Sequence, residues 1–330
     1  MNRRTALATL GAAGLGLLAM QLPTLNADES RNNSLKGALS KFNAKSRTQL
    51  LEVITSSGFS GQISAEAVTA VCESEQKTVE AVMFALLAVA KTYSRPPISN
   101  YQVGTVARGI SGRLYLGANI EFPGHSLGFS VHGEQSALSS AYMHAEGGIS
   151  AIAVTAAPCG HCRQFMNELA PNGEIQVLVE GQPPVKLSSL LPAAFGPKDL
   201  GVTELAFPVK EVDLTLPKTP DTLIETALQA ARKSYAPYTH AHSGIAIGTR
   251  SGRFFKGSYI ENAAYNPSLP PLQAALSALI VAGAEYSDIS DVVLIETEGA
   301  SISQRSVAEA VLGTIAPKVK LRVVTARLKA

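Results

Sequence analysis

The sequence is poor in several things at once. It has no tryptophan, three cysteines, 6% aromatic residues and 16% charged residues in a chain of 330. Three cysteines exclude a disulfide-built scaffold. A hydrophobic content of 46% beside so few charges excludes a disordered chain and leaves room for a large core in one to three domains. A net charge of +2 excludes a strong general grip on polyanions. The most basic stretch, "KVKLRVVTARLKA" at 318–330, interleaves its charges with Val and Leu at strand spacing, so it reads as the solvated face of a strand. A membrane-spanning run is also missing: the apolar block Thr5–Met20 has 16 residues, short for a span and right for the apolar part of a signal peptide.

That block follows the pair Arg3-Arg4 and ends near Ala27, the last residue before the first acids. Residues 1–27 therefore read as a signal peptide of the twin-arginine type, which exports a folded protein to the periplasm. The motif is partial, because Ala6 stands where a bulky residue is usual. An uncleaved anchor, a mis-assigned start and a cytoplasmic protein are the alternatives. Without residues 1–27 the chain has 26 basic and 26 acidic residues.

From 34 to 95 apolar residues recur at three- and four-residue steps, the mark of helices. Cys72, in "AEAVTAVCESE", is a small residue on such a stretch. Beyond "SRPPISN" the chain repeats itself. Gly104 matches Gly244, Gly112-Arg113 matches Gly252-Arg253 and Glu121 matches Glu261 at an offset of 140. "HGEQSAL" then matches "PPLQAAL" at an offset of 138. Each copy reads as strand, turn, strand, loop, helix, strand, helix, strand. The expected fold is α/β: two tandem α/β/α domains with mixed sheets, over 96–190 and 221–330, joined by a Pro-rich linker at 191–220 and preceded by the helical segment 34–95.

The chemistry is concentrated in the first copy. Cys159 and Cys162 in "PCGHCRQFMNEL" sit three apart at a helix start, where both sulfurs face one way and the helix end favours thiolates. Alone the pair fits a redox disulfide or half of a zinc site. His132 in "VHGEQSA" adds a third ligand type. Two thiolates and a neutral imidazole balance a zinc dication and leave a fourth position open, as catalytic zinc requires. His161 as fourth ligand would close the site, but it lies between the cysteines, where its side chain should turn away from their shared face. Glu134, two residues from His132, is placed to move a proton; by itself it is also an ordinary first-turn helix carboxylate.

His-x-Glu followed by Pro-Cys-x-x-Cys is the signature of zinc nucleobase deaminases. The chain resembles cytidine deaminases, and specifically their long, duplicated bacterial type. The likeness covers residues 34–330 and includes "ISNYQVGTVARG", "GANIEF", "PCGHCRQFMNEL", "FGPKDL" and "ENAAYNPSLPPLQ". It implies one zinc ion per subunit held by His132, Cys159 and Cys162, with Glu134 as proton shuttle. It implies hydrolytic attack at C4 of cytidine or 2'-deoxycytidine, releasing ammonia and leaving uridine or 2'-deoxyuridine, in pyrimidine salvage. Asn119 and Glu121 would hold the ribose hydroxyls; two apart on a strand, they face one side, and a carboxylate accepts well from a diol. Tyr101, where relatives often carry Phe, and Phe195 would line the nucleoside pocket. Backbone groups near Gly133 and Ala157 would meet the base and the leaving amine. The first thirty or so residues fall outside this pattern, since such relatives are normally cytoplasmic.

In the second copy Pro270 and Leu272 stand where His132 and Glu134 stand, Tyr259 replaces Asn119, and no cysteine follows Cys162. That copy cannot bind zinc. Single-domain relatives assemble as tetramers whose neighbours complete each other's pockets, so the fused pair implies a homodimer in which Tyr265 reaches into the partner's site. Two other functions compete: a polynucleotide cytosine deaminase, which would need a basic strand channel, and a non-catalytic binding protein with a closed four-ligand zinc site.

Overall fold

The computed structural model describes residues 27–170 and 174–329, with side chains from Arg31 onward. The expected leader thus lies outside the described residues except for Ala27. Among the described residues no helix is long and apolar enough to cross a membrane.

Four helices come first: α1 (Ala27–Ala38), α2 (Ala44–Thr55), α3 (Ala65–Glu75) and α4 (Val79–Lys91). The side chains of Asn43, Ser64 and Thr78 cap the last three by accepting from the N–H three residues on. The first sheet contains β1 (Gln62–Ile63), β2 (Gly104–Gly109), β3 (Leu114–Ala118), β4 (Ile149–Val154), β5 (Gln176–Val179) and β6 (Val185–Lys186). Its order is β1-β3-β2-β4-β5-β6, and only β4 and β5 run parallel. α5 (Gly133–Met143) joins β3 to β4, and α6 (Gly160–Leu169) joins β4 to β5.

After α7 (Leu187–Leu190) the plan repeats: β7 (Leu214–Thr215), α8 (Thr222–Arg232), β8 (Ser243–Thr249), β9 (Phe254–Ser258), α9 (Pro271–Val281), β10 (Ile289–Thr297), α10 (Arg305–Ile315) and β11 (Leu321–Leu328). The second sheet has the order β7-β11-β10-β8-β9, with β10 and β11 parallel. Each sheet is therefore mixed, as the repeat predicted. Alternation along the strands separates two faces. Ala246, Val293 and Ile295 pack under α8, while Ile245, Ile247, Val292 and Leu294 join the core that runs continuously into the first copy.

Close packing of helix on sheet depends on glycine at the same place in each copy. A Cβ on Gly117 would lie 2.2 Å from the Ala137 nitrogen of α5, and one on Gly257 would lie 2.3 Å from the Pro271 carbonyl oxygen of α9. The two helices so placed meet at the centre of the molecule, inside the continuous core. Their contact is nearly two-fold. Gln135 donates to the Pro267 carbonyl at 3.2 Å, and its counterpart Gln273 donates to the Phe129 carbonyl at 3.4 Å.

The expected segment boundaries differ from the packing. The helical segment 34–95 supplies two parts of the first sheet domain: β1 pairs antiparallel with β3, and α4 lies across β2 as α8 lies across β8. The repeat thus begins at α4, before the Pro-rich break that drew the boundary at 95. The expected linker 191–220 likewise supplies β7, which pairs with β11.

Candidate active site

His132 is the N-cap of α5 and Cys159 the N-cap of α6, with Cys162 in the next turn. Two helix N-termini, with their unpaired N–H groups and partial positive charge, thus converge where the sequence carries thiols and a carboxylate. The His132 Nδ1 atom lies 3.5 Å from Cys159 Sγ and 3.3 Å from Cys162 Sγ, and the sulfurs are 3.7 Å apart. A tetrahedral zinc with bonds of about 2.3 Å to sulfur and about 2.0 Å to nitrogen sets its ligand atoms about 3.8 Å and about 3.5 Å apart. The three side chains fit that ion without rearrangement. Among the described residues they are the only group of three or more His, Cys, Asp or Glu side chains able to hold a metal.

His161 does not join them. Its ring stacks on that of His132, centroids 5.3 Å apart and 18° from parallel. It stays out of the ligand cluster, as its place between the cysteines implied, and packs on the ring of a ligand.

The electrostatics follow from crowding. The hydrogen bond with Cys162, then His132, holds the Cys159 thiol down to about 3. The same sulfur–sulfur bond, then burial, pushes Cys162 up. The Cys159 sulfur raises His132 against its burial. Glu134, 4% exposed, is raised by burial, with the N–H groups of the helix start pulling the other way. Gly133 between them has no room for a side chain: a Cβ there would sit 2.5 Å from Thr105 Oγ1. Ala157 is exposed in the turn before Pro158.

Asn119 and Glu121 follow the end of β3, with Ile120 bridged to Arg95 on one side and Val131 on the other. Both polar side chains face the loop 94–103, as their spacing predicted, and both are engaged by it. Asn119 Oδ1 accepts from Ser94 Oγ at 2.5 Å and from the Val103 N–H at 2.9 Å, and its Nδ2 donates to the Tyr101 carbonyl at 2.9 Å. Glu121 accepts from the N–H groups of Ile98 and Ser99 and from Ser99 Oγ, at 2.8, 2.9 and 2.5 Å. Burial pushes this carboxyl up, but those three bonds together hold it below the usual range. Tyr101 and Phe195 are exposed aromatics, and the Phe195 carbonyl accepts from Gln164 Nε2 on α6. Tyr265 belongs to the second copy, packs on Tyr238 and is 64% exposed.

Three residues of the site were not singled out in the sequence. Gln135 Oε1 accepts the His132 N–H at 3.2 Å; its recurrence as Gln273 was the available signal. Arg163 ties the Pro158 carbonyl to that of Leu190, at 2.8 and 3.0 Å. Glu168, fully buried, fastens the cysteine-bearing helix to the second copy. It accepts from Tyr238 OH at 2.5 Å, Tyr235 OH at 3.0 Å and the Ala263 N–H at 2.8 Å. Burial raises it, and these bonds oppose the rise. Asn262 adds a bond to the Gln164 carbonyl at 3.0 Å. Glu168 falls on the same helix face as the buried Phe165, a place where a carboxylate needs partners.

Two family models, both described as the cytidine and deoxycytidylate deaminase zinc-binding region, match residues 62–178 and 187–309. A cytidine deaminase of Cronobacter sakazakii is 43% identical over 275 residues, 83% of this chain and 93% of that protein. The chain belongs to the cytidine and deoxycytidylate deaminase family. Other members are similarly near: the cytidine deaminase of Pectobacterium carotovorum is 41% identical over 280 residues, 85% of this chain and 94% of that protein. The first match contains the whole cluster and Glu134. The second runs from α7 into the first turn of α10, where the deaminase fold persists without a zinc ligand set among the described residues.

Proposed function

We propose that the protein hydrolyses cytidine and 2'-deoxycytidine to uridine and 2'-deoxyuridine, releasing ammonia. The observation that carries this reading is the three-ligand cluster, spaced for one tetrahedral ion, beside a buried carboxylate two residues from the histidine ligand. His132, Cys159 and Cys162 would hold zinc. When bound, that ion supplies a Lewis acid that makes water a nucleophile near neutral pH. Glu134 would take one proton from the attacking water and deliver it to N3 as the C4–O bond forms, then take the remaining proton of the new C4 hydroxyl and deliver it to the amine as the C4–N bond breaks, so that ammonia leaves and C4 becomes a carbonyl. Its buried, raised carboxyl suits a group that must both accept and give a proton. Asn119 and Glu121 orient the ribose, Tyr101 and Phe195 cover the nucleoside, and the backbone at Gly133 and Ala157 faces the base.

The reading extends to assembly and place. Tyr101, Phe195 and Tyr265 are large exposed aromatics at positions tied to the nucleoside site, which supports a homodimer in which Tyr265 of one protomer closes the partner's pocket. The Arg3-Arg4 leader supports export to the periplasm, with pyrimidine salvage as the use of the reaction.

The deciding test is the ultraviolet change on adding cytidine to the purified full chain, beside a Glu134→Ala control that retains zinc. Turnover by the parent and none by the control supports both reaction and shuttle. A zinc-loaded, folded parent that leaves cytidine and deoxycytidine unchanged overturns the reading.

A further inference from the structure

The two copies differ at one sheet edge, and the difference opens a cleft. In the first copy β1 covers the outer edge of β3. In the second the equivalent strand, β9, is the last of its sheet. Beside it lies a cavity of about 450 Å³ at the seam of three parts of the chain. The 57–60 turn forms one wall, the C-terminal half of α5 and the facing side of α9 another, and β9 the third. Its body is apolar, with Phe59, Met143, Phe255 and Ala278 among the lining. No Asp or Glu lines it, while Arg253 and Lys256 do.

Neither cation has its charge answered by a hydrogen-bonded acid. Arg253 lies over the Phe255 ring at 4.8 Å and donates to the Ala282 carbonyl at 3.3 Å. Lys256 donates to Gln229 Oε1 at 3.1 Å. A polar atom of α5 in the same wall, Ser140 Oγ, is buried without a hydrogen-bond partner. A cavity of this size at a domain junction, apolar with a few polar groups at its rim, is the form that small-molecule sites take. Its charge selects the head group.

We propose that this cleft binds an amphipathic monocarboxylate, its hydrocarbon body along Phe59, Met143 and Ala278 and its carboxylate against Lys256. A carboxylate there makes a charge-assisted hydrogen bond to an ammonium whose side-chain partner, Gln229, is neutral. Burial already pushes the Lys256 ammonium below its ordinary range, and an anion beside it offsets that cost.

The test is titration calorimetry of the full zinc-loaded chain with sodium decanoate, with 1-decanol and decyltrimethylammonium as head-group controls. The expected result is one decanoate per chain, with decanol and the cation at least about tenfold weaker. Lys256→Met should weaken decanoate by about tenfold. Ala278→Phe, which fills the cleft, should abolish binding while cytidine turnover and zinc content stay at the parent level. Equal binding of all three amphiphiles overturns the proposal. So does decanoate binding that both substitutions leave untouched. So does the absence of binding to a folded, active chain, including a dimer whose partner occupies the cleft.

Discussion

The two copies have the same skeleton and only one has the chemistry. Both sheets place their strands in the same relative order, with one parallel pair each. Both use glycine where the central helix meets the sheet. Both also place a glutamate under the loop that follows the first long helix. Glu121 accepts from Ile98 and Ser99, and Glu261 accepts from the Tyr238 and Thr239 N–H groups and the Thr239 hydroxyl. Glu261 does this in a copy without a zinc cluster, so the survival of a glutamate there is no sign of a sugar site. It is a loop cap, and Glu121 is one as well. What distinguishes the first copy is a short set: His132, Glu134, Asn119 and the two cysteines.

The largest expected effect tests that set. Glu134→Ala should lower cytidine turnover by about 10²–10⁴-fold or more, with zinc retained. Leu272→Ala, at the matching position of the second copy, should leave turnover unchanged. Metal analysis of the full chain should give one zinc per chain and not two. Cys162→Ala, or dialysis against a strong chelator, should remove both zinc and activity. Two zinc ions per chain would break the comparison at its root.

The second expected effect concerns what the silent copy contributes. Glu168→Ala leaves the half-buried Tyr238 hydroxyl and the buried Ala263 N–H without their acceptor, while Tyr235 OH keeps the Glu204 carbonyl at 3.3 Å. At roughly 1–3 kcal/mol for each orphaned group, the loss should be about 2 kcal/mol or more in denaturant unfolding. Because Glu168 and Cys162 share one helix, zinc should also pass faster to a chromophoric chelator. Unchanged stability and unchanged zinc release would mean that the second copy does not support the zinc helix.

That latch also shows where reading the sequence stops. The repeat, its strands and helices, the three ligands and Glu134 were legible because each leaves a local mark: a period, a spacing, a residue type. The shared face of Asn119 and Glu121 was legible for the same reason. Glu168 leaves no such mark, since its partners are 67 to 95 residues away and belong to the other copy. The boundary at 95 was misplaced because a Pro-rich break is visible and the packing of α4 on a later strand is not. His161 was read from helix geometry alone, which places a side chain relative to its own helix but not against a ring arriving from another.

The paired glutamates provide the next test. Glu121→Gln and Glu261→Gln should each cost about 1 kcal/mol of stability, since each weakens the same charge-assisted cap. Only Glu121→Gln should also raise KM for cytidine, by about tenfold. The pH dependence follows the carboxyl. Glu121 is held below the usual range, so its contribution is full above the unfolded value near about 4.3 and is lost as pH falls through the folded value. Glu121→Gln should remove that acid-sensitive part of the unfolding profile. Equal KM effects from the two substitutions would return Glu121 to a purely structural role.

The smallest effect lies at the seam itself. Gln135 and Gln273 donate across it in the same way, but only Gln135 also receives, from the His132 N–H. In the second copy that histidine is Pro270, which has no N–H to give, and Gln273 Oε1 is buried without a partner. Erasing the zinc ligand therefore left a polar atom stranded. Gln273→Met discards a bond and an orphan together, so it should cost less than Gln135→Met, by about 0.5–1 kcal/mol. Only Gln135→Met should speed zinc release. Pro270→Ala restores a donor, and in that background Gln273→Met should become more costly by about 1 kcal/mol, the coupling a double-mutant cycle reads. A cycle that closes with no coupling would mean that the proline is not what strands the oxygen, and that this seam was already asymmetric before the ligand was lost.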